Sequence, residues 1–146
     1  MKRLVILGAG TAGTMMANKL RKRLSHDWSI TIVDRDQNHV YQPGLLFVPF
    51  GIYRKEEIVR PRASFLSAGI EMVVAEVDKV EPGSKVVTLE DGKTLSYDLL
   101  IVATGCRITP EATPGLVDEG WLETAFEFYS LKGAEKLRQA LARWKG

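Results

Sequence analysis

The stretch that decides the fold is "LVILGAGTAGTMMANKL", Leu4 to Leu20. An apolar run of four residues, Leu4-Val5-Ile6-Leu7, stops at Gly8. Such a run suits a strand buried on both faces of a parallel sheet. Gly8, Gly10 and Gly13 then fall in the pattern G-x-G-x-x-G, and a helical pattern starts at Thr11. Each glycine costs conformational entropy on folding. Their spacing answers to a specific need. The first permits a tight turn, the second lets a pyrophosphate approach the backbone, and the third allows close packing of helix on strand. Thr11, Ala12 and Gly13 open the helix, whose free N–H groups and positive dipole end favour phosphate.

The context agrees with this reading. Ile30–Val33 forms a second apolar run that ends at Asp34, 21 residues after Gly13. That lies near the ~20-residue spacing of an acid that takes ribose hydroxyls. A carboxylate there repels a 2′-phosphate. Arg35 has a planar cation suited to lie over an adenine ring, or it is a solvated surface arginine. A plain alternative for the whole motif is a structural glycine turn with Asp34 as a cap.

The remaining chain alternates elements. Lys2–Leu7 reads as a strand and Thr11 to about Ser25 as a helix, with Met15, Met16, Lys19 and Leu20 on one face. Asn38 to Arg62, "NHVYQPGLLFVPFGIYRKEEIVRPR", reads as a long excursion with a short helical piece around Leu45–Pro49. Segments this long without regular period usually carry function or pack on another part of the molecule. Pro61–Ala68 reads as a short connection or helix, and Ile70–Val80 as one strand. Lys85–Leu89 and Thr94–Ser96 flank an Asp91-Gly92 hairpin turn. Leu99–Ala103 is another buried strand, Thr109–Gly120 is loop, and Leu131–Trp144 is an amphipathic helix with Leu131, Ala134, Leu137, Leu141 and Trp144 on its apolar face. The order describes an α/β protein, an open parallel sheet with a β-meander crossover.

Composition narrows the classes. The chain has 146 residues, 45% of them apolar, and 20 Lys+Arg against 18 Asp+Glu, a net charge of +2. The basic residues are scattered, which argues against nucleic acid as a partner. Cys106 is the one cysteine, so neither an internal disulfide nor a CxxC site is available. The four-residue apolar run is short of the ~7–15 residues of a signal core, and no run reaches the ~18 of a spanning helix. These features point to a cytoplasmic protein. His26 and His39 lie in different elements with no cysteine partner, so no metal site is expected. Cys106, beside Arg107, reads as a small buried filler or as a reactive thiol.

A second signature, "YDLLIVATG" (Tyr97–Gly105), follows "VVAEVDKVEP". Together with the first, it resembles the two-dinucleotide-binding-domain flavoproteins of the pyridine nucleotide-disulfide oxidoreductase superfamily. The resemblance implies a Rossmann-like domain and FAD on the first fingerprint. It implies the backbone of Val77 against adenine and the turn Ala103-Thr104-Gly105 close to the cofactor. Within that superfamily, "HVYQPGLLFVPFG" (His39–Gly51) is similar to the Y-Q-P segment of sulfide:quinone oxidoreductases. That implies Tyr41, Gln42 and Pro43 near the flavin ring, with sulfide as electron donor and quinone as acceptor. Type II NADH:quinone dehydrogenases share the fingerprint and the A-T-G turn, and a non-catalytic nucleotide-binding module is a further alternative. The resemblance also implies a longer protein. Residues 1–120 would be the N-terminal segment of the FAD domain, and residues 121–146 a helix leading to a second domain. The reactive cysteines of the sulfide branch and a C-terminal region in peripheral contact with the inner face of the membrane would then lie outside this chain, and no catalytic residue is assigned within it.

Overall fold

A computed structural model describes residues 1–118 and 120–145. The chain divides into two compact units. The first contains Met1–His39 and Pro61–Gly105, the second Val40–Arg60 and Cys106–Gly146.

The first unit is built on a four-stranded parallel sheet. Strand β1 (Lys2–Leu7) leads into helix α1 (Thr11–Arg21), then strand β2 (Trp28–Asp34). Strand β3 (Asn38–Val40) leads out of the unit. Helix α2 (Lys55–Ile58) is followed by strand β4 (Val59–Pro61), which leads back to β5 (Ile70–Val74). A meander of β6 (Val77–Glu81), β7 (Val86–Leu89) and β8 (Thr94–Ser96) precedes β9 (Leu99–Val102). The sheet order is β5-β2-β1-β9, with β1 paired on both sides. The meander is an antiparallel sheet of its own, β6-β7-β8.

The period of two in a strand sorts β1 onto two cores. Leu4 and Ile6 pack with Ala17, Ile30 and Ile32 on the α1 side. Val5 and Leu7 pack with Val87, Leu89 and Tyr97 of the meander side. Leu4 to Leu7 are all 3% exposed or less, as the apolar run requires.

Four local expectations are corrected. Helix α1 ends at Arg21, not near Ser25, because the Arg21 guanidinium donates to the carbonyls of Leu24, Ser25 and Trp28 and stabilises a turn there. Its buried face runs through Gly13 and Ala17, with Leu20 packed on the core, while Met15 and Met16 are exposed. The segment Ile70–Val80 is two strands in two sheets. The Ala75 N–H still donates to the Asp34 carbonyl at 3.0 Å, while the Glu76 carbonyl already accepts from Glu90 on the meander side. The short helical piece of the excursion lies earlier, as a 3-10 turn over Gln42–Leu46 with Pro43 near its start.

The second unit closes around a small apolar cluster. Leu45, Val48 and Ile58 meet Ala134 and Leu131 of helix α3 (Leu131–Arg143). Ser130 caps α3 by accepting from the Gly133 N–H at 3.0 Å. Trp144 follows the helix in an extended conformation and is 74% exposed, so it leaves the apolar face expected of it. Among the described residues no helix is long and apolar enough to cross a membrane.

Candidate functional site

The glycine loop is explained residue by residue. Gly8 has φ +95°, a left-handed conformation that disfavours side chains, and a Cβ there would lie 2.3 Å from the Ala103 carbonyl oxygen. A Cβ at Gly13 would lie 1.8 Å from the Gly8 carbonyl oxygen and 3.5 Å from the Ala103 Cβ. Both positions are therefore closed by the protein's own backbone. Gly10 is different. Its φ is −71°, and no atom beyond its own stretch of chain lies within 4 Å of a Cβ built on it. A side chain at Gly10 would project into open space at the start of α1. No side chain caps that helix, and no acid lies in its first turn. The first N–H groups of any helix have no intrahelical acceptor, so those of Thr11, Ala12 and Gly13 are free for an anionic ligand. Thr11 and Ala12 are exposed. The space in front of Gly10 and the donors behind it fit a pyrophosphate.

Two ladder extensions hold the loop. The Gly8 N–H donates to the Val33 carbonyl and the Ala103 N–H to the Leu7 carbonyl, both at 2.7 Å. The turn Ala103-Thr104-Gly105 thus abuts the loop, with Thr104 and Gly105 exposed and Gly105 at φ +71°.

Asp34 faces inward. Its Oδ2 accepts from the Ala9 N–H at 2.7 Å and its Oδ1 from the Asp36 N–H at 3.0 Å. The carboxylate therefore caps the loop, the alternative that the sequence left open. Of roughly four lone-pair sites on a carboxylate, two are taken by these backbone N–H groups. The Arg62 guanidinium lies 3.5 Å from Asp34 Oδ1, donates through Nη1 to the Ala9 carbonyl at 2.5 Å and through Nε to the Asp36 carbonyl at 2.7 Å. Arg62 is the functional candidate that the sequence did not reveal. Its only local signal is its place after Pro61, where the excursion returns. His39 lies in the same neighbourhood, with its ring 5.1 Å from that of Phe65. Burial and then the Arg62 charge hold its pKa below the usual imidazole value, with Asp34 pulling partly back.

Of the expected residues, the structure brings Gly8, Gly13, Ala103 and Thr104 together, and joins Asp34 to the loop through Ala9. Arg35 is exposed just after β2. Val77 opens β6, half-buried against the meander-side core. Gln42 belongs to the second unit. There it lines a cavity of about 730 Å³ with Pro43, Leu46, Phe47, Glu127, Phe128 and Tyr129. The lining is mainly apolar with a few polar groups, the pattern of a small-molecule site. Cys106 is exposed, which corrects its reading as a buried filler, and its Sγ lies 3.1 Å from the Tyr129 hydroxyl.

A parallel sheet in this order, with a glycine loop opening the helix after the central strand, defines a Rossmann-like α/β fold. The chain belongs to the pyridine nucleotide-disulphide oxidoreductase family, whose model matches residues 2–144. It is 28% identical over 134 residues to a mitochondrial sulfide:quinone oxidoreductase of Dictyostelium discoideum, covering 92% of this chain and 30% of the relative. It is 30% identical over 138 residues to a type II NADH:quinone oxidoreductase of Staphylococcus haemolyticus, covering 93% and 33%. The crystal structure of the sulfide:quinone oxidoreductase from Aquifex aeolicus superposes with a TM-score of 0.80 at 23% identity, over 97% of this chain and 32% of that one. This chain thus spans about a third of the length of the relatives it matches.

Proposed function

We propose that this chain anchors FAD in a flavin-dependent oxidoreductase of the sulfide:quinone oxidoreductase type. The observation that carries the reading is the open space in front of Gly10, at a helix start with neither a capping side chain nor an acid. In that reading the N–H groups of Thr11, Ala12 and Gly13 hold the pyrophosphate, and Gly8 and Gly10 let it approach. Asp34 takes a ribose hydroxyl. Arg35 covers the adenine, and the Val77 backbone lies along its edge. Ala103, Thr104 and Gly105 close on the cofactor from the β9 side. When bound, FAD supplies the electron transfer, accepting electrons from one substrate and passing them to the next. The residues of this chain position it, and the substrates, sulfide and quinone, react at the flavin. The assignment of FAD dependence extends to the whole protein.

The sulfide branch rests on Tyr41-Gln42-Pro43 and the apolar cavity beside them. The NADH branch is the second reading, favoured by the 30% identity to the Staphylococcus haemolyticus enzyme. Visible spectroscopy and anaerobic titration of the purified full-length protein separate the two. A yellow protein bleached by sulfide is expected. Faster bleaching by NADH selects the second reading. A folded, colourless protein that binds nucleotide without electron transfer overturns both and leaves a non-catalytic nucleotide-binding module.

A further inference from the structure

Ala9 is fully buried between two charged side chains that grip its two peptide groups. Its N–H is held by the Asp34 carboxylate, and its carbonyl by the Arg62 guanidinium and the Thr14 hydroxyl. The side chains of Asp34 and Arg62 are only 13% and 14% exposed and lie 3.5 Å apart. Breaking such a buried pair leaves an uncompensated charge. In a planar peptide the carbonyl of one residue and the N–H of the next point in opposite directions. Fixing the Ala9 carbonyl on Arg62 therefore aims the Gly10 N–H the opposite way. The guanidinium also offsets the carboxylate charge at the place where phosphates would arrive.

We infer that Arg62 is a positioning residue for the phosphates of the dinucleotide. It locks the Ala9–Gly10 peptide in the anion-receiving orientation and neutralises Asp34, which would otherwise repel the pyrophosphate. The inference rests on the proposed dinucleotide site and specifies what selects phosphate there. Its distinctive consequence is a split between ligands. Loss of Arg62 exposes the Asp34 charge, which a phosphorylated nucleotide feels and a neutral nucleoside does not.

The test compares 5′-ADP with adenosine by NMR titration at low salt. With Arg62→Gln, ADP binding is expected to weaken about 10-fold while adenosine changes less than about 2-fold. Equal weakening of both ligands, or no change in either, overturns the inference and leaves Arg62 a structural tie. Should Arg62→Gln fail to fold, Arg62→Lys carries the test. Its ammonium keeps the charge without the fork, so ADP weakens about 3-fold with adenosine unchanged, and again equal effects overturn it. A wild-type protein that binds neither ADP nor FAD overturns the proposed site itself, and this inference with it, a result distinct from binding without the split.

Discussion

The two units use glycine for different reasons. In the first, Gly8 and Gly13 are pressed against backbone: the Ala103 carbonyl at 2.3 Å and the Gly8 carbonyl at 1.8 Å from a built Cβ. Backbone in a paired sheet cannot yield. In the second, Gly133 meets both the carboxylate and, at 2.5 Å, the backbone carbonyl of Glu127, whereas Gly44 faces side chains, Ile58 Cγ2 at 2.6 Å and Tyr41 Cδ1 at 3.1 Å. Side chains can move aside at modest cost. Gly8 and Gly13 are therefore fixed by main-chain geometry and Gly44 by side-chain packing. Gly10 belongs to neither class, because it faces open space.

The largest expected effect is at Gly13. Gly13→Val drives a Cβ into the Gly8 carbonyl, which separates α1 from β1 and costs more than ~3 kcal/mol. Denaturant unfolding reads this, and a stability within ~1 kcal/mol of wild type would break the contrast between the units. Next is Leu45→Ala in the second unit, where the side chain is 3% exposed. The expected cost is about 2–4 kcal/mol. Hydrogen exchange should localise it: α3 loses protection while β1 and β2 keep theirs. Equal loss in both would show one cooperative body. Gly10→Ala sharpens the third class. Stability falls by only about 1 kcal/mol, the usual effect of alanine at a helix cap, whereas ADP binding weakens at least ~10-fold. Unchanged binding would remove Gly10 from the site.

The smallest effect concerns His39. Its pKa is lowered in the folded protein, so the unfolded chain binds the proton more readily. The associated stability is present above the unfolded value near 6.5 and is lost as pH falls through it toward the folded value. Wild type should lose more thermal stability than His39→Gln between pH 7.5 and 5.5. Parallel melting curves across that range would count against the burial of His39 as the cause.

The same division accounts for what could be read in advance. Lys2–Leu7 and Thr94–Ser96 match their expected bounds, because an apolar run stopped by glycine and a hairpin turn at Asp91-Gly92 are local signals. The roles of Gly8 and Gly13 were legible because main-chain crowding leaves only glycine as an answer. The Val74/Val77 break was hidden, since Ile70–Val80 carries no glycine or proline to mark it although its two halves join different sheets. The error on α1 has a similar origin. Met15 and Met16 look like a core face, but small residues at Gly13 and Ala17 are what let the helix approach the sheet. Arg62 was illegible because an arginine held by carbonyls and a carboxylate from two distant segments, the glycine loop and the end of β2, has no local pattern. The grouping of Val40–Arg60 with Cys106–Gly146 is likewise a matter of long-range packing between stretches that share no sequence signal.

The central position of β1 also bears on how the chain is made. Leu4–Leu7 can pair with Ile30–Val33 early in synthesis, but their other edge pairs with Leu99–Val102. The clamp from the Arg3 N–H to Asp98 spans 95 residues. Pairing of such distant segments is slow, and an open apolar edge meanwhile invites association with other chains. During translation, β1 emerges well before β9 and is thus among the last strands to be completed. A nascent chain halted before Leu99 carries the half-paired strand as its most aggregation-prone surface.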